Sequence, residues 1–103
     1  MSLIFKTNQP QTLLDAIKKE IDNKKIATWI YDKDGDFIHT PDQWKNKAWL
    51  KPTVSTGELK FSILKPTSVT KLGNAILGVY YGRFLEMVSN HFENNFTSAT
   101  LSI

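Results

Sequence analysis

Residue types that carry chemistry in many proteins are scarce in this chain of 103 residues. It contains no cysteine, which excludes disulfides, thiol catalysis and the cysteine-based zinc and iron–sulfur sites. It has two histidines, and neither His39 nor His91 has the spacing of a metal-ligand pair. A chain without cysteine is compatible with a reducing compartment, so we expect a cytoplasmic protein. We also expect that the protein needs no cofactor.

Long hydrophobic runs and known catalytic or nucleotide motifs are also lacking. The N-terminal apolar run is too short for a signal peptide, and Ala75–Tyr81 is too short to cross a bilayer. The glycines at 73, 78 and 82 match neither the dinucleotide-binding pattern nor the P-loop, and no Gly-x-Ser-x-Gly elbow occurs. The sequence therefore argues against a membrane protein, a nucleotide-binding enzyme of these types and a serine hydrolase.

The chain is rich in apolar and aromatic side chains. Hydrophobic residues make up 41% of it, with six Phe, three Trp and three Tyr, which excludes disorder and supports a single core. The net charge of +3 comes mainly from lysines that are spread over the whole length. Such a distribution indicates a solvated surface more than a nucleic-acid-binding face. We expect residues 1–103 to form one domain.

The first elements are predicted to be a short strand and an amphipathic helix. Leu3–Lys6 favours a strand, and Asn8 is suited to cap the helix that follows it. The helix is predicted over Pro10–Asn23, because apolar residues recur along one face while lysines project toward water.

A β-hairpin is predicted over Ala27–Thr40, around the turn-forming pair Asp34-Gly35. A two-residue turn there would place three pairs of residues opposite each other: Lys33 and Asp36, Tyr31 and Ile38, Trp29 and Thr40. One face would then carry Trp29, Tyr31 and Ile38, and the other Ile30, Phe37 and His39. Since both faces hold large apolar groups, helices are expected to cover one of them. The sequence leaves open what covers the second face.

The second half of the chain is predicted to hold another hairpin, a strand, a helix and a final strand. Ala48–Val54 and Glu58–Leu64 form the hairpin. Ala75–Gly82 fits a helix or a strand by periodicity, and its glycines and aromatic residues favour the strand. Arg83–Phe92 then forms a helix, and Phe96–Ile103 alternates like a strand with one buried face.

These elements predict an α+β fold in the order β-α-β-β-β-β-β-α-β. The sheet is expected to be mainly antiparallel, with five to seven strands, and the two helices are expected to pack on one of its faces.

The acidic stretch Asp32-Lys-Asp-Gly-Asp36 raises the question of a calcium site. In an EF-hand loop that began at Asp32, the sixth residue would be glycine and the twelfth a glutamate. Here glycine is the fourth residue, and the twelfth is Gln43. We therefore predict a polar hairpin tip and no metal site.

Two hypotheses involve charged or titratable residues. Arg83 at the start of its predicted helix could hold an anion, with Tyr80 and Tyr81 lining the approach, although an ion pair with Glu86 is the simpler interpretation. If the protein were an enzyme, His39 would be the acid–base group. Its imidazole would then be oriented by one of two carboxylates, Asp32 or Asp42.

A third hypothesis involves aromatic residues among lysines. Trp29, Tyr31 and Trp44 could stack nucleic-acid bases or anchor a protein partner, although tryptophans in so small a domain are more often core residues. The preferred prediction is a non-enzymatic binding or interaction module that forms a homodimer or binds another protein. It depends on the two-sided apolar hairpin and on a terminal strand with an open edge. Single-stranded nucleic-acid binding and an anion-binding or enzymatic site are the alternatives.

Overall fold

The computed structural model describes residues 1–102, which form one antiparallel sheet of six strands and two α-helices. The strand order across the sheet is β2-β3-β4-β5-β1-β6. The elements in chain order are β1 (Ser2–Lys6), α1 (Pro10–Asp22), β2 (Trp29–Tyr31), β3 (Phe37–His39), β4 (Trp49–Ser55), β5 (Glu58–Leu64), α2 (Asn74–Phe92), a 3-10 turn (Glu93–Asn95) and β6 (Ser98–Ser102). The predicted α+β class and antiparallel sheet are confirmed.

Both helices pack on the same face of the sheet and enclose one core. Alternate strand residues are buried, as in Leu3 and Phe5 of β1, because successive side chains point to opposite faces. The helices contribute apolar residues three or four positions apart, among them Ile17 of α1 and Phe84 of α2. The ring of Phe84 lies 4.5 Å from that of Phe61 on β5, measured between centroids.

The segment Ala75–Gly82, predicted as a strand, is the first part of helix α2, so four strands lie between the two helices. The helix begins at Asn74, nine residues before the predicted start at Arg83. Buried residues recur at helical spacing over most of its length: Tyr80, Tyr81, Phe84, Met87, Val88 and Phe92. The burial of these large side chains outweighs a glycine penalty of about 1 kcal/mol per residue.

The register of the first hairpin differs from the prediction by one residue on one strand. Trp29 pairs with His39, Ile30 with Ile38, and Tyr31 with Phe37. The loop between the strands is therefore five residues long instead of two. Phe37 and His39 join Trp29 and Tyr31 on the helix-covered face, and Ile30 and Ile38 share the opposite one. A shift of one residue exchanges the faces because the side-chain period of a strand is two.

The wider loop is closed by hydrogen bonds within it. The side-chain Oδ1 of Asp32 accepts the N–H groups of Asp34 and Asp36, each at 3.0 Å, and the Asp32 N–H donates to the Asp36 carbonyl. Gly35 has a φ of 84°, which is readily accessible to glycine. An aspartate that bonds to backbone two and four residues onward stabilises this loop over a two-residue turn.

The second hairpin is confirmed, with a two-residue turn between paired Ser55 and Glu58. Strand β3 pairs with β4 at Phe37 and Leu50, so Pro52 extends past the end of β3, where its missing N–H is tolerated.

The first helix ends at Asp22, close to its predicted end at Asn23, but Asn8 does not cap it. The N-cap residue is Gln9, without a side-chain cap, and the Thr7 hydroxyl accepts the Gln9 N–H at 3.1 Å. Neither described helix is both long and apolar enough to span a membrane. The last predicted strand is confirmed over Ser98–Ser102, but none of its residues is buried, so the predicted buried face is wrong for this part of the chain. Ile103 lies outside the described residues.

Candidate interaction surface

His39 is a buried residue of the core, with 4% of its surface exposed. Its ring stacks on Trp29 at a centroid distance of 4.4 Å, and its Nδ1 donates a hydrogen bond to the Thr28 carbonyl at 2.9 Å. Burial, with a smaller contribution from the charge of Arg83, lowers the pKa of His39 below its ordinary value. The imidazole thus has a structural environment, and the predicted acid–base arrangement is not assembled.

Neither carboxylate proposed as an orienting group bonds to this imidazole. The Nδ1 partner of His39 is a backbone carbonyl, whereas Asp32 accepts hydrogen bonds inside its own loop. Asp42 is exposed in the segment between β3 and β4. An acid–base pair needs an accessible imidazole and an orienting carboxylate, and the structure provides neither at His39.

Arg83 is exposed, but it does not lie at a helix start. It is in the middle of α2, nine residues after Asn74. The free N–H groups of the first helical turn are therefore distant along the helix from its guanidinium. The anion-site hypothesis depended on this combination, and the structure does not form it.

Tyr80 and Tyr81 are also absent from any approach to Arg83, because both are buried. The Tyr80 hydroxyl donates to the Trp44 carbonyl at 2.6 Å. The Tyr81 hydroxyl donates to the Met1 carbonyl at 3.0 Å and accepts the Ile63 N–H at 3.1 Å. Burial raises the pKa of both hydroxyl groups. The hydrogen bonds of the two tyrosines therefore connect α2 to the β3–β4 segment, to the N-terminus and to β5.

The three aromatic residues considered for base stacking do not form one exposed surface. Trp29 is 1% exposed and lies edge-on to Phe84 in the core at 5.0 Å between centroids. Tyr31 is half-buried, its hydroxyl donates to an Asp22 carboxylate oxygen at 2.7 Å, and the Lys18 ammonium lies 5.4 Å from its ring centroid. Trp44 is half-buried against the core. Trp29 is therefore unable to stack a base.

The acidic loop brings three carboxylates together, since one oxygen each of Asp32, Asp34 and Asp36 lies within 4.8 Å of the others. Partial burial and the two neighbouring carboxylates raise the pKa of Asp36, while Lys51 opposes the shift. The hydrogen bonds from the backbone to Asp32 account for the shape of the loop. The prediction of no metal site stays a prediction.

The sheet face that the helices leave open carries an apolar row across four strands. Ile30 pairs with Ile38, and Trp49 pairs with Leu64. The pairing of β3 with β4 places Ile38 beside Trp49, so the four side chains line up across β2, β3, β4 and β5. Ile30 is 40% exposed and Leu64 is 39% exposed. Trp49 is half-buried and Ile38 is 8% exposed, so the second face of the first hairpin continues into an apolar row that is exposed at its two ends and buried at Ile38.

Strand β6 forms the far edge of the sheet from this row. It pairs with β1 on one side and has no strand on the other side among residues 1–102. Its five residues include no charge and no proline, and Leu101 has 47% of its surface exposed. The opposite edge strand, β2, is only three residues long. Short length is one way in which proteins protect an edge, and β6 is longer and uncharged.

The fold defines a two-layer α+β protein with one open sheet face and one unprotected sheet edge. Comparison with protein families, with curated proteins and with solved structures finds no match for this chain.

Proposed function

We propose that this protein is a non-enzymatic interaction module that self-associates through the free edge of β6. The observation that supports the proposal is the uncharged edge strand with its exposed Leu101. Such an edge presents unpaired N–H and C=O groups to any strand that can add to it. Pairing with a second copy satisfies these groups and covers apolar surface.

The expected dimer has two β6 strands that run antiparallel about a two-fold axis. Identical strands pair in this way when residue i of one copy meets residue j of the other and the reverse. Because Ser98–Ser102 carries no charge, the pairing brings no like charges together. The two sheets would then join into one of twelve strands, with their open faces on the same side.

We place this module in the cytoplasm, since a chain without cysteine suits a reducing compartment.

Sedimentation velocity at micromolar concentration tests the proposal. We expect the wild-type protein to sediment with twice the mass of the 11.8 kDa chain. Thr100→Lys puts a charge in the middle of the exposed edge strand, and in the dimer it puts two lysines close to each other. We therefore expect Thr100→Lys to sediment as a monomer.

The matched control is Thr56→Lys, the same chemical change at an exposed turn residue away from β6. It should leave the dimer intact, and circular dichroism should show that both variants keep the wild-type fold. A wild-type protein that is monomeric at micromolar concentration contradicts the proposal. A Thr100→Lys variant that still dimerises contradicts the assignment to β6.

A further inference from the structure

A groove of about 640 Å³ opens where the end of β5, the segment after it and the first turn of α2 meet. We call it the end groove. Its apolar lining residues are Met1, Ile63, Leu64, Leu72 and Leu77. Small-molecule sites commonly have volumes of about 300–1,000 Å³ and mostly apolar walls, so its size and lining suit an organic ligand.

Two backbone groups of residues that line the end groove are already hydrogen-bonded. The Tyr81 hydroxyl accepts the Ile63 N–H and donates to the Met1 carbonyl. Leu72 is 8% exposed and joins the groove to the core. A ligand in the groove therefore gains by removing apolar surface from water, and it does not need to supply hydrogen bonds to these two groups.

Two lysines supply the charge of the end groove. Lys65 and Lys71 are both exposed and line it, and none of its described lining residues is acidic. The Lys65 ammonium donates a hydrogen bond to the Val69 carbonyl at 2.6 Å, which keeps it close to the segment that borders the groove. Positive charge beside an apolar trough complements a molecule with an apolar body and a negative head.

We propose that the end groove binds an amphipathic carboxylate with an aliphatic chain, a medium-chain fatty acid in chemical class. The chain lies along Ile63, Leu64 and Leu77, and the carboxylate accepts hydrogen bonds from Lys71 and Lys65. Affinity should then rise about fourfold for each methylene added to the ligand, until the chain fills the groove.

Titration with decanoate, followed by ¹H–¹⁵N chemical shifts of the full chain, tests the proposal. We expect shift changes centred on residues 63–77 and weaker binding by octanoate. Nonyltrimethylammonium has the same nine-carbon aliphatic chain with the opposite charge, and it should bind more weakly than decanoate. Replacement of both lysines, Lys65→Gln with Lys71→Gln, should weaken decanoate binding about three- to tenfold, whereas Lys47→Gln should not.

A second pair of variants tests the apolar wall. Leu64 and Val54 are strand residues that are each 39% exposed, but only Leu64 lines the groove. Leu64→Thr should weaken decanoate binding, and Val54→Thr should leave it unchanged. The proposal is overturned by the absence of binding, by equal affinity for the two head groups, or by shift changes centred on Ile30 and Ile38. The monomeric variant Thr100→Lys should bind decanoate like the wild type, so failure of the dimer proposal leaves this one separately testable.

Discussion

The assignment of Ala75–Gly82 to helix α2 can be tested directly, because two exposed glycines lie inside the helix. Neither Gly78 nor Gly82 has any heavy atom within 4 Å of the position a Cβ would take, and neither has a positive φ. Alanine therefore fits without a clash, and it removes the entropy cost of glycine in a helix. We expect Gly78→Ala and Gly82→Ala each to raise the free energy of unfolding by about 0.5–1 kcal/mol. In a domain of about 100 residues, 1 kcal/mol corresponds to roughly 4–8 °C in melting temperature.

The matched control is the same substitution at Gly57, in the turn between β4 and β5. A Cβ at this position also meets nothing within 4 Å, but the backbone φ is +80°. Gly57→Ala should therefore lower the free energy of unfolding by about 1–2 kcal/mol through backbone strain alone. Urea denaturation and thermal melts followed by circular dichroism measure all three variants. A loss of stability in both helix variants would show that the space beside α2 is occupied, and it would refute the reasoning.

Two further predictions concern buried polar groups. Tyr81→Phe removes both hydrogen bonds of that hydroxyl and leaves the Ile63 N–H without its partner, so denaturation should show a loss of about 1–3 kcal/mol. Tyr31→Phe, at a more exposed hydroxyl, should lower the free energy of unfolding by less. Equal losses in the two variants would contradict the role given to the buried Tyr81 hydroxyl. The pKa of His39 is lowered in the folded protein, so the unfolded chain binds more protons in this range and stability should fall as the pH drops below 6.5. Unfolding measured against pH should show a smaller fall for His39→Gln, and an unchanged profile would contradict the shift.

The sequence by itself determined the elements whose signals are local. Strand β1, helix α1 and the hairpin of β4 and β5 follow from apolar periodicity and from a glycine in a tight turn. Gly57 takes a positive φ directly before Glu58, so the turn fixes the register of its own strands. Such features depend on residues only a few positions apart. The order of the predicted elements adds the expectation of one antiparallel sheet with helices on one face, and composition adds that of a single core.

Tertiary structure decided the features that depend on distant contacts. Phe84 of α2 packs against Trp29 at 5.0 Å and against Phe37 at 5.4 Å between ring centroids, although more than forty residues separate them. These contacts stabilise the helical conformation of Ala75–Gly82. They also stabilise the hairpin register that places Phe37 and His39 on the helix-covered face. Local propensities of about 1 kcal/mol per residue are small beside the burial of several aromatic rings. The apolar row, the free edge of β6 and the end groove likewise join residues that are far apart in the sequence, so only the tertiary structure shows them.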